Sequence, residues 1–226
     1  MLETADILER HTTTDKVFER LHEEIVTLEL LPGTKLSEAE VARRFGVSRQ
    51  PVRDAFNRLS NLELLLIRPQ KATKVRGFSI ERIAHARFVR LAVELEVIRR
   101  ACAVWDDRSA RVLERNLDRQ QRAIDAGRPE EFHALDYEFH ELLCDLGGCP
   151  LIVETIRGCK QKVDRLCTLG FSREGEAATL LEDHRKLAGA LSEGSAEAAT
   201  AIAREHLDRL DDTIAEIQRT HSEYFE

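Results

Sequence analysis

The sequence lacks the features that would mark a membrane, secreted or disulfide-stapled protein. No apolar run approaches the roughly 20 residues a membrane-spanning helix needs, and the N-terminus lacks the pattern of a secretory leader. The five cysteines (Cys102, Cys144, Cys149, Cys159 and Cys167) are odd in number and form no CxxC pair. That excludes a disulfide framework or a zinc finger and suits the reduced thiols of a cytoplasmic protein. There is no low-complexity tract and no internal repeat. What remains is a soluble globular pattern, 226 residues long with 33% charged and 42% hydrophobic side chains, enough for one or two domains with a real core.

One stretch organises the rest: Ser37 to Leu59, SEAEVARRFGVSRQPVRDAFNRL. Ser37 followed by Glu40 is a capping-box signature. Val41, Ala42 and Phe45 then recur at helical spacing until Gly46, the residue best able to take the left-handed conformation that ends a helix. Ser48 can cap the next helix, and Pro51 stands in its first turn, where a missing N–H costs little. Val52, Phe56 and Leu59 make one apolar face. Ser48, Arg49, Gln50 and Arg53 gather at the helix start and away from that face, as a recognition helix entering a major groove requires. Charge points the same way. From Val41 to Arg76 there are nine Lys or Arg, Arg44 among them, against Asp54 and Glu63, in a chain of net charge −7. A local basic patch on an acidic protein suggests double-stranded DNA as the partner of that region alone.

Before this stretch, residues 1 to about 13 read as an arm. Thr14 can cap a helix carrying Val17, Phe18, Leu21, Ile25 and Leu28. After it, Leu65–Arg68 and Thr73–Arg76 read as two strands around a turn, Pro69-Gln70-Lys71-Ala72. Lys71 and Lys74 on this wing can reach DNA phosphates. The expectation is a mainly α protein: a winged helix-turn-helix domain over 1–78 and an antiparallel all-α bundle of about six helices over 79–226. The second part sums to −8, so nucleic acid is not its partner.

The bundle carries a constellation of its own. Asp136 and His140 are four apart on one helix and share a face, while His184 and His206 fall on two others. Spacing alone leaves two readings open, a metal site inside the bundle and hydrogen-bonded histidines of a half-buried surface.

Both halves resemble the GntR type of bacterial transcription regulator, in its FadR branch with an FCD ligand-binding domain. The resemblance rests on Gly46-Val47-Ser48-Arg49 with Pro51-Val52-Arg53, on Asp136-Tyr-Glu-Phe-His140, and on His184 through Gly194 to His206-Leu207. It implies DNA contacts by Arg49 and Arg53, a homodimer on a two-fold operator, a divalent metal held by Asp136, His140, His184 and His206, and a small carboxylate effector near it. Three imidazoles and a carboxylate suit Zn²⁺ or Ni²⁺ first, then Mn²⁺ or Fe²⁺. Arg90 matches an effector-binding arginine of the family; the alternative is a plain pair with Glu94, four residues on. The chain departs from the family pattern at Ala39, at Glu63 and Ala72, where glycines are usual, and at Cys149.

The function expected is a dimeric, cytoplasmic transcription regulator controlled by a small acid bound at the metal. One alternative is a metal-dependent hydrolase, for which no general base or nucleophile stands out. The other is a regulator that senses the metal itself.

Overall fold

Thr12, not Thr14, starts the first helix of the computed structural model, which describes residues 12–68, 70–170 and 175–226. The Thr12 hydroxyl accepts from the Asp15 N–H, and the Asp15 carboxylate accepts from the Thr12 N–H, so two orphan donors are satisfied at once. The arm through residue 11 and Pro69 of the expected turn lie outside the described residues, as do the side chains of Asp164, Cys167–Gly170 and Asp211–Thr213.

Helix α1 (Thr13–Val26) buries Val17, Leu21 and Ile25 against α3 (Arg49–Asn61), which contributes Val52, Ala55, Phe56 and Leu59. Between them runs α2 (Glu38–Phe45), ended by Gly46 at φ 65°, the left-handed turn expected there. Ser37 and Ser48 hold the N-cap positions, but neither hydroxyl makes the capping hydrogen bond that the sequence suggested. The wing is a three-stranded antiparallel sheet of order β1-β3-β2, made from β1 (Lys35–Leu36), β2 (Leu65–Leu66) and β3 (Thr73–Val75). Lys35 pairs with Lys74 and Leu65 with Val75. Glu63 takes φ 61° where α3 ends, so the position does call for the conformation glycine adopts most easily. At the tip, Gln70 and not Ala72 has positive φ.

A second compact unit, Ser79–Ser222, is helical. It comprises α4 (Ile80–Ala103), α5 (Asp107–Asp125), α6 (Pro129–Leu146), α7 (Val153–Gly170), α8 (Glu176–Ser192), α9 (Ala196–Asp208) and α10 (Leu210–Thr220). Ser79, Asp106 and Ser195 cap α4, α5 and α9 with side-chain oxygens. The core runs through Ile98, Leu113, Phe132, Leu135, Phe139, Leu143, Leu187 and Leu191. Among the described residues seven helices stand where about six were expected, and the helical run from Ala196 to Thr220 is divided at Arg209. No helix among the described residues is long and apolar enough to cross a membrane.

One assignment needs correction. Glu223–Glu226, expected with the bundle, belongs to the first unit. The Phe78 N–H donates to the Tyr224 carbonyl (2.8 Å), the Glu226 N–H donates to the Phe78 carbonyl (2.9 Å), and Phe78 bridges Phe225 in parallel. Arg76 Nε reaches Glu226 Oε1 at 2.7 Å. A Cβ on Gly77 would stand 2.8 Å from the Tyr224 carbonyl oxygen, so only glycine lets the two segments lie this close.

Candidate functional site

The N-terminal turn of α3 presents Ser48, Arg49 and Gln50 to solvent, with Arg53 one turn on and the buried face of the helix turned away. These groups are organised before any DNA arrives. Arg53 makes a two-point ion pair with Glu38 of α2, at 3.3 and 3.1 Å. Gln50 Nε2 donates to Asp54 Oδ1 at 2.9 Å.

The basic patch is less bare than the count of residues 41–76 implied. Arg44 pairs with Glu24 (2.8 Å), Arg58 with Asp15 (2.7 Å) and Arg76 with Glu226, all acids from outside that stretch. Arg58 also lies over the Phe18 ring, which ties α3 to α1. Lys71 and Lys74 are exposed on the wing.

In the helical unit, Asp136 and His140 on α6, His184 on α8 and His206 on α9 are all buried, and one ligand atom from each lies within 4.8 Å of the others. Asp136 Oδ1 is 3.4 Å from His184 Nε2 and 3.8 Å from His140 Nε2. Phe139 stacks on His184 with 4.1 Å between ring centroids.

The tautomer of His184 follows from a chain of amides anchored on the backbone. The Leu135 carbonyl can only accept, so Asn116 turns its Nδ2 to it (3.1 Å). Asn116 Oδ1 then accepts from Gln120 Nε2 (2.6 Å), which leaves Gln120 Oε1 to accept from His184 Nδ1–H (3.0 Å). His184 Nε2 therefore carries a lone pair, is buried, and has no hydrogen-bond partner. An imidazole fixed in this way by an outer partner is prepared for a metal ion.

Similar partners stand behind the other two rings. Glu94 Oε2 lies 2.8 Å from His140 Nδ1, close enough for ion pairing but without hydrogen-bond alignment. Asp183 Oδ2 lies 3.5 Å from His206 Nδ1 and is gripped by Arg209 through two bonds.

Burial pushes the His184 pKa well below its usual range and lowers that of His140. Both rings are thus kept neutral, the form that ligates. Burial opposes ionisation of Asp136, but the Lys160 ammonium outweighs it and holds the carboxyl well below the ordinary carboxylate range. The four predicted ligands therefore fit a divalent transition ion in donor set, in the neutral rings of His140 and His184, and in the orphaned Nε2.

Arg90 makes the pair with Glu94 that its alternative reading expected. Its Nε donates to Glu94 at 2.5 Å, and its Nη2 stands 3.0 Å from His140 Nε2, at the edge of the cluster. It also borders a cavity of about 210 Å³, lined further by Arg87, Leu91, Cys159, Val163 and Leu207. Cys149, where the sequence departs from the family pattern, donates its thiol to the Gly147 carbonyl at the end of α6.

Sequence reasoning missed Glu94 as a histidine partner, and missed Gln120, Asp183 and Lys160 altogether. One signal was available. Asn116 and Gln120, four apart, interrupt the buried stripe that holds Leu113, Leu117 and Ala123.

Residues 86–209 match the family model of the FCD domain, and residues 13–75 match that of the bacterial regulatory proteins, gntR family. The chain is 34% identical over 210 residues to the HTH-type transcriptional repressor RspR of Escherichia coli (strain K12), covering 93% of this chain and 92% of that one. It is 35% identical over 212 residues to an uncharacterized HTH-type transcriptional regulator in an unstable DNA locus of Streptomyces ambofaciens, covering 93% and 88%. Among solved structures, E. coli McbR/YncC shares the fold with TM-score 0.71 at 20% identity, over 91% of this chain and 98% of that one. A putative GntR regulator from Rhodococcus sp. RHA1 gives 0.72 at 22%, over 90% and 97%.

Proposed function

Because the chain belongs to the gntR family of bacterial regulatory proteins, as a DNA-binding transcription regulator with an FCD domain, we propose that its operator affinity is set by a small carboxylate bound beside a divalent metal in the helical unit. The observation that carries this reading is the buried group of Asp136, His140, His184 and His206, with the orphaned Nε2 of His184 and the guanidinium of Arg90 beside it.

Asp136, His140, His184 and His206 would hold the ion, Zn²⁺ or Ni²⁺ by ligand preference and Mn²⁺ or Fe²⁺ by supply. Such an ion offers Lewis-acid coordination to one end of an acid. Arg90 offers a guanidinium charge to an incoming carboxylate, and the cavity of about 210 Å³ that it borders has room for a small molecule. Glu94 holds Arg90 in place, and Gln120 keeps His184 in the ligating tautomer. Ser79 caps α4, the helix that bears Arg90 and Glu94, directly after Phe78, where the longer segment of the first unit ends. Binding at the site thus has a covalent path to the DNA-binding unit.

On DNA, Ser48, Arg49, Gln50 and Arg53 would enter the major groove, with Arg44, Lys71 and Lys74 nearer the phosphates. Arg53 has to leave Glu38 to do so. A two-fold operator calls for two copies of the chain, and a regulator of bacterial genes works in the cytoplasm.

The test is elemental analysis together with operator affinity across a panel of small carboxylates, on wild type, His184→Ala and His206→Ala. Both substitutions should lower metal content and abolish the response to acid while basal DNA binding persists. Unchanged metal content in both variants would return the histidines to a purely structural role.

A further inference from the structure

One buried cation has no part in the reading above. Lys160, on α7, is 7% exposed; its ammonium is ion-paired with Asp136 Oδ2 and stands 4.2 Å from the centroid of the Tyr137 ring. A buried ammonium needs a full opposite charge, and Asp136 supplies it. The other oxygen of the same carboxylate, Oδ1, faces the imidazoles of His184 and His140. One aspartate thus serves a resident cation and the ligand cluster together.

The charge balance around the site sharpens the point. Its buried acids are Glu94, Asp136 and Asp183, and the bases paired to them are Arg90, Lys160 and Arg209. These three pairs are already balanced, so a divalent ion entering beside them would bring two further positive charges. Lys160 is a direct source of that repulsion, since it bonds the one carboxylate in the ligand set, whereas Arg90 approaches a neutral ligand, His140.

We propose that Lys160 is a resident cation that holds Asp136 in the metal-free protein and competes with divalent metal for it, so that Lys160 sets how tightly the site binds metal. The inference rests on the metal reading above, and the experiment separates the two.

Zinc affinity is measured on the full chain by competition with a chromophoric chelator, for wild type, Lys160→Met, Lys160→Arg and the exposed control Lys162→Met. Removing a unit charge from beside the shared carboxylate should tighten zinc about ten-fold or more in Lys160→Met. Lys160→Arg and Lys162→Met should stay close to wild type, and adding His184→Ala to Lys160→Met should cancel the gain. If Lys160→Met binds zinc no more tightly than wild type does, the competition is overturned and the metal reading stands. If neither protein binds zinc, both fall together. If Lys160→Met does not fold without metal, it is refolded across a zinc series and followed by helical circular dichroism. Recovery below the zinc concentration that half-loads wild type supports the proposal; no recovery, with wild type still binding zinc, overturns it.

Discussion

The two units use charge in opposite ways. In the first, the arginines of α2 and α3 lie at the surface; Arg53 and Arg58 pair with partly exposed acids and Arg44 with Glu24, which alone among that unit's described ionised side chains is buried. In the second, Arg90, Glu94, Asp136, Lys160, Asp183 and three histidines are all buried around one another. An exposed, loosely paired arginine gives up little when a phosphate or base edge replaces its partner. A buried ion pair cannot be broken so cheaply, and it discriminates among small ions and anions. Surface charge therefore suits a long polyanion, and enclosed charge suits a compact ligand.

The largest expected effect breaks the enclosed side of this contrast. Asp136→Ala strands the Lys160 ammonium and should destabilise the helical unit by about 3–5 kcal/mol in denaturant unfolding. A loss below about 1 kcal/mol would mean that the pair behaves like a surface bridge and that the contrast is unfounded.

On the exposed side, Arg53→Ala should weaken binding to an operator, isolated from a random duplex pool, by about 1–3 kcal/mol if the side chain reads a base. Its stability should change by less than about 1 kcal/mol, because the Glu38 pair is half exposed. Equal affinity at matched salt would remove α3 as the recognition helix.

Acid separates the units more gently. Burial holds His184 and His140 below the ordinary value near 6.5, so the unfolded chain takes up protons first as pH falls through that value. Stability from these rings is present above about pH 6.5 and is lost below it. Among the described residues the first unit has one such imidazole, His22, also lowered by burial. Chemical unfolding of the metal-free protein from about pH 7.5 to about 5.5 should therefore show the helical unit losing more than the first; equal losses would contradict the assignment.

The smallest effect concerns the wing. Glu63→Gly relieves a left-handed, non-glycine residue and should stabilise the first unit by about 1 kcal/mol, read as a raised midpoint. No gain would show that the Arg76 side chain, 3.9 Å away, already offsets the strain.

What was legible in the sequence divides along the same line. The helix-turn-helix follows local rules that are visible in the text: apolar spacing in α1 and α3, a glycine for the left-handed turn, and a basic run. Those rules overlooked β1, whose two residues are too few to show a period, and passed the whole basic run as free although several of its arginines are paired with acids outside it. In the helical unit, spacing identified Asp136 and His140 as sharing a face, but spacing cannot state which distant helices bring His184 and His206 to meet them. The partners behind the rings were harder still. Lys160, Asp183 and Gln120 read as ordinary polar positions on amphipathic helices, because only tertiary packing turns them inward.

The pairing of Phe78 with Glu223–Glu226 gives the molecule an order of manufacture. Translation makes the three helices and the wing first, yet the segment that covers Phe78 and accepts the Arg76 ion pair is encoded beyond the entire helical unit. The reader of DNA is thus finished last, after the helical unit has been made. A nascent chain carries a DNA-binding unit that lacks its closing piece for as long as the ribosome is still working through α4 to α10.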